Sequence, residues 1–191
     1  MAEPDQKPDL TELFTNPNYG LVKQLPLGRN LAAVRDALNG WHEHRTFFYL
    51  GTFFDTLEAE SGENENSFRQ KLSEYLEGED SRDLFLGTLA NFLEDRDGRI
   101  KMQILARIFT ALIRSEISKD SFYDLTFVLE RMNARSISFL RRMGQDMGFE
   151  VRGSIDEYVD DGAILIAAGI ASNEDSVLRV YPLGQQLFRY L

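Results

Sequence analysis

The widest apolar face in the chain belongs to residues 97–116, DGRIKMQILARIFTALIRSE. On a helical wheel of about 100° per residue, Ile100, Ala111, Ile104, Ile108, Leu112, Leu105, Phe109, Met102, Ile113 and Ala106 follow one another around roughly two-thirds of the circumference. What remains is a narrow polar stripe of Gln103, Arg107, Thr110 and Arg114. A helix apolar over so wide an arc has to be packed on several sides. The pattern therefore predicts a mainly α fold, a multi-helix bundle around a central buried helix at about 98–116.

The same periodicity predicts the neighbours. Residues 1–9, with Pro4 and Pro8 among charges, read as a disordered tail. Leu10 to Phe14 allow one helical turn, YGLVKQLPLG a packed loop, and Asn30 a cap on the helix LAAVRDAL. Phe47, Leu50, Gly51, Phe54 and Leu57, broadened by Phe48 and Phe53, predict a helix from Trp41 to Ser61, with Gly51 allowing the close approach of another helix. Ser67 to Gln70 match a capping box, and Ser81 is a second N-cap, with Asp83 in the first turn behind it. Asp95 or Asp97 caps the central helix. Ser118 or Asp120 opens the next, with Phe122, Leu125, Leu129 and Met132 as its stripe, and a last helix runs from Arg135 to a stop at Gly144. Gaps of about 3–6 residues suit sequential helices packing as neighbours. The bundle domain is thus expected over 10–148.

Composition changes after Gly148. A short extended piece at Phe149 to Val151, a helix over 154–168, a turn at Ala171 to Asp175, a strand at Val177 to Tyr181 and a helix opened by Pro182 make a small C-terminal α/β appendage, 149–191. The order of Leu165–Ile170, Ser172–Asp175, Val177–Tyr181 and Leu183–Leu191 is similar to the C-terminal half of winged-helix domains. In such an arrangement residues 154–168 would present Asp156, Glu157, Asp160 and Asp161 without one Lys or Arg, and the hairpin would carry Glu174 and Asp175. Duplex binding needs phosphate-neutralising cations, so direct DNA binding is disfavoured. Through QLPLG, FFYLGTFFDTL and EDRDGRIKMQIL the whole chain also loosely resembles small uncharacterised bacterial proteins with a helical bundle and a short α/β tail. That resemblance implies no reaction, ligand or site residue.

Charge sharpens the picture. The net charge is −10, and residues 55–97 hold 13 acids against 4 bases, whereas residues 99–150 hold 9 bases against 6 acids. An acidic belt repels phosphate and favours basic partners. Its candidate partner surface is Glu74, Glu77, Glu79, Asp80 and Asp83. The facing candidates for anion or partner binding are Arg107, Arg114, Arg131 and Arg135, whose structural alternative is ion pairing with the belt as the helices assemble. No apolar run reaches the roughly 18 residues of a membrane span and no signal peptide is visible. The absence of cysteine fits the cytoplasm and excludes thiol chemistry and disulfides.

Catalytic patterns are absent. His42 and His44 lie two apart, diverging by about 200° on a helix, and do not form a metal motif. Leu93 to Gly98 miss two obligatory oxygen ligands of a calcium loop, which leaves capping as the role of Asp97. There is no phosphate loop, dinucleotide fingerprint or nucleophile turn, so neither cofactor nor metal is expected. The sequence therefore predicts a non-enzymatic cytosolic protein–protein interaction module with an acidic surface, one form of which is an inhibitor or regulatory partner of a basic, nucleic-acid-binding protein. The alternative is a helical small-ligand or anion binder, or an enzyme, using the arginines of 99–142. A transcriptional regulator acting through the appendage is the third reading. Apolar surface left over from Phe-rich helices would allow a dimer.

Overall fold

A computed structural model of the protein describes residues 43–62, 65–93, 95, 97–152 and 159–191. Among them are eight helices and three strands: α1 Glu43–Ser61, α2 Glu65–Glu77, α3 Glu79–Leu93, α4 Gly98–Ile113, α5 Lys119–Arg131, α6 Ala134–Asp146, β1 Glu150–Arg152, α7 Val159–Ala167, β2 Ala171–Glu174, β3 Val177–Val180 and α8 Pro182–Phe188. This is the expected helical bundle with a small α/β tail. The expected tail at 1–9, the elements before Trp41, and His42, Asp156 and Glu157 lie outside the described residues. Contacts divide the chain into two compact units, Met1–Glu116 and Ile117–Leu191. Helices α5 and α6, read from the sequence with the bundle, thus share a unit with the C-terminal strands.

In the first unit α4 packs most extensively on α1, with further contact to α2 and α3. Twelve of its residues are buried, from Gly98 and Lys101 to Ile113. The core gathers around Phe109, whose ring stacks on Phe85 of α3 at 4.6 Å and meets Tyr75 of α2 edge-on at 5.7 Å and Phe53 of α1 at 6.2 Å. Four helices thus contribute aromatic area to one point, where each ring pair adds to the burial free energy. Gly51 is buried, and at Gly98 of α4 the Tyr49 ring of α1 occupies the place of a Cβ atom. Phe48 departs from the expected apolar face. It is half-exposed, with the Arg99 guanidinium 5.4 Å from its ring centroid.

Two expected caps are displaced. Ser67 lies inside α2, which starts at Glu65, and Gln70 donates forward to Glu74 at 2.9 Å instead of back to the helix start. Ser81 likewise falls inside α3, because the Gly78 carbonyl already accepts the Arg82 N–H. Ser118 does cap α5, accepting from the Ser121 N–H at 3.1 Å, and Asn133 and Ser136 form a reciprocal capping box on α6. Helix α4 ends in a Schellman arrangement: Ser115 and Glu116 donate to Leu112 and Ala111, with Ser115 at φ 61°. A serine in the position that glycine usually fills gives the sequence no stop signal.

In the second unit the strands form an antiparallel sheet of order β1-β3-β2. Glu150 faces Arg179 across β1 and β3, and Ala171 faces Val180 across β2 and β3. Residues 171–174, read as a turn, are a strand. The hairpin turn is Asp175 and Ser176, both at positive φ, 53° and 60°. That is the backbone of a type I′ turn built without glycine, so the usual Asn-Gly or Asp-Gly signal is missing. Replacing Ser176 with glycine removes the left-handed strain and should stabilise the unit by about 0.5–1 kcal/mol. Thermal melting of Ser176→Gly beside Ser176→Ala checks this: the glycine variant should melt above wild type and the alanine variant should not. Gly144, read as a helix stop, lies inside α6. Its missing side chain makes room for the Phe188 ring of α8, which also meets Phe149 edge-on at 5.3 Å.

Candidate functional site

The polar stripe of α4 lies against the C-terminal end of α1. Arg107 Nε donates to Glu60 Oε1 at 3.1 Å, with both side chains more than a third exposed. Arg114 Nη2 donates to the main-chain oxygens of Glu60 and, at 3.2 Å, of Ser61. These belong to the last turn of α1, where carbonyls lack helical partners and the macrodipole is negative, so a guanidinium from another helix closes the C-terminus of α1. Thr110, third on the stripe, is buried and returns its hydroxyl to the Ala106 carbonyl at 2.9 Å. The two arginines therefore tie α1 to α4.

Arg131 and Arg135 belong to the second unit. Arg131 stacks on Phe127 one turn earlier in α5, 3.8 Å from the ring centroid. Arg135 pairs with Asp161 of α7: Nη2 donates to Oδ2 at 3.4 Å, while Nε lies 3.2 Å from Oδ1 without making a hydrogen bond. Asp160 beside it is exposed. Phe127 and Tyr123 are each about half exposed, 52% and 50%, one turn apart on α5. On α6, Arg142 lies 5.5 Å from the Phe139 ring centroid and Arg141 donates to the Leu191 main-chain oxygen. On the sheet, Arg179 and Arg152 share Glu150 at 3.1 and 3.9 Å.

The acidic candidates stand together where α2 turns into α3 through Gly78. Glu74, Glu77, Glu79, Asp80 and Asp83 are all exposed. Glu79 and Asp80 occupy the first turn of α3, where the positive end of the macrodipole favours a carboxylate. Glu77 is the opposite case. It is the last residue of α2, at the negative end, and no basic residue shares that turn. Glu74 accepts from Gln70, and Asp83 lies 3.8 Å from Arg82 Nε. Glu77, Glu79 and Asp80 have no ion pair among the described residues. The ridge thus concentrates negative charge without an ion pair at Glu77, Glu79 or Asp80 among the described residues, and at Glu77 the charge opposes the helix that carries it.

One charged group belongs to none of the sequence motifs. Lys101 of α4 is 1% exposed, and its ammonium pairs with the Asp95 carboxylate ahead of the helix. The other Asp95 oxygen accepts the Asp97 N–H at 2.8 Å, whereas Asp97 occupies the N-cap position but its side chain does not bond to the helix N–H groups as a cap. Capping thus works through Asp95 rather than Asp97. The signal lies in the pattern: on the wheel Lys101 falls near 100°, between Ile108 near 80° and Leu112 near 120°, in the middle of the apolar arc. Among the described residues no group of three or more His, Asp or Glu is placed to hold a metal ion, and no helix is long and apolar enough to cross a membrane. In comparisons with protein-family models, curated proteins and solved structures, nothing matches this chain.

Proposed function

We propose that the chain is a non-enzymatic, cytoplasmic protein–protein interaction module whose α2–α3 ridge of carboxylates receives a basic protein. Inhibition or regulation of a nucleic-acid-binding protein is its most specific form, because such a protein carries the cations that a row of carboxylates matches in place of phosphates. The observation that carries the reading is Glu77. A carboxylate at the negative end of a helix, exposed and without an ion pair among the described residues, costs the helix that carries it about 0.3–1 kcal/mol. Side chains that oppose stability are the ones expected where binding sets the residue. Glu79 and Asp80 extend the same charge one residue beyond the Gly78 turn.

Neutralising the ridge separates stability from binding. A Glu77→Gln, Glu79→Gln, Asp80→Asn variant should retain its fold, and the single Glu77→Gln variant should melt slightly above wild type. Affinity capture from a lysate of the native host, run at about 50 and 300 mM salt, should retain a basic protein on wild type at low salt. The triple variant should lose it. Capture that is insensitive to salt, or equal for both proteins, would overturn the reading.

A further inference from the structure

The first unit holds a cavity of about 360 Å³ that the acidic ridge does not use, lined by Ser61, Gly62, Ser67, Phe68, Lys71, Arg114 and Glu116. It lies where the end of α1, the first turns of α2 and the end of α4 converge. Two of its lining groups are cations with donors to spare. Arg114 commits Nη2 to the Glu60 and Ser61 carbonyls, while Nε has no acceptor among the described residues and Nη1 stands 3.9 Å from Glu116 Oε1, beyond hydrogen-bond distance. Lys71 is exposed and has no ion-pair partner among the described residues. The carbonyl anchors fix the guanidinium before any ligand arrives, so little side-chain entropy is lost on binding. Phe68, itself buried, supplies an apolar wall.

From this we infer that the cavity is a binding site for a small organic oxyanion, a carboxylate or a phosphate monoester. Its charged end would sit between the remaining N–H groups of Arg114, Nε and Nη1, and the Lys71 ammonium, and its body would lie on Phe68. Arginine offers such a group a planar fork and lysine a mobile point charge. A volume near the lower end of ligand pockets fits a molecule of a few heavy atoms beyond the anion. Glu116 is the competing group. Its carboxylate is mostly exposed and faces Arg114 at long range, so an oxyanion displaces it at small cost.

Inorganic phosphate and acetate are the probes, titrated against the full-length protein at constant ionic strength set with chloride. The melting temperature should rise saturably with one or both, by about 3–6 °C at ten times the Kd. A rise with phosphate alone assigns a phosphate ligand, and a rise with acetate alone a carboxylate. Lys71→Ala should melt like wild type without anion and lose the rise, Lys71→Arg should keep it, and Glu116→Gln should bind more tightly. No rise beyond chloride, a rise that survives Lys71→Ala, or weaker binding by Glu116→Gln would overturn the assignment.

Discussion

Asp95→Ala should be among the most damaging single substitutions in the first unit, lowering stability by about 3–5 kcal/mol. The carboxylate it removes faces an ammonium that is 1% exposed and buried in the apolar side of α4. Without that carboxylate a desolvated ammonium loses its short ion pair, and keeping the charge or neutralising Lys101 is expensive. The same truncation releases the Asp97 N–H, which Asp95 holds at the start of α4. The paired control is Lys101→Met, which removes the charge and keeps the length. It should be close to neutral, and the double variant should be far more stable than Asp95→Ala alone. Urea unfolding of the four proteins forms a double-mutant cycle. Equal losses for Asp95→Ala in the wild-type and Lys101→Met backgrounds would show that the pair is not what the carboxylate serves.

The second large effect is expected at Phe109. Phe109→Ala should cost about 3–5 kcal/mol, because the ring is 1% exposed and touches aromatic partners from three other helices. The void would open on α1, α2 and α3 together, so no single helix can close it by a small shift. Phe109→Leu keeps most of the volume and loses the stack on Phe85; its loss should be about half as large. Far-UV dichroism against temperature measures both. A Phe109→Ala loss below about 1 kcal/mol would mean that the four-helix cluster is not where the core is secured.

What can be read from the sequence follows from which signals are local. The apolar period of residues 100–113 defines α4, and the stripe of Phe122, Leu125, Leu129 and Met132 defines the buried face of α5, because periodicity is a property of one helix. Ser118 is legible as a cap for the same reason. The hairpin is not, since Asp175 and Ser176 adopt a turn for which glycine is the recognisable residue. Gly144 misleads because its purpose is set by Phe188, far along the sequence: the glycine is a notch, and a notch inside a helix resembles a stop. Lys101 is written into the apolar arc but gains meaning only with Asp95 placed beside it. The candidate sites divide likewise. The carboxylates of 74–83 are visible as charge, but that Glu77 makes no ion pair among the described residues depends on which bases the fold brings near. Arg114 is visible as a cation, while its anchoring by two carbonyls of α1 and its place beside Lys71 depend on helix ends meeting in space.

The packing of α1 on α4 has a consequence during synthesis. The principal partner of α1 is not its neighbour in sequence but a helix that ends at Ile113, roughly 50 residues after Ser61. At elongation rates of about 5–20 residues per second, Phe53, Phe54 and Leu57 are made about 3–10 s before the principal helix that α1 packs on is complete. During that interval the nascent polypeptide presents an aromatic helix followed by the most acidic part of the sequence. Its negative charge opposes close contact between two such faces while the partner helix is still being made.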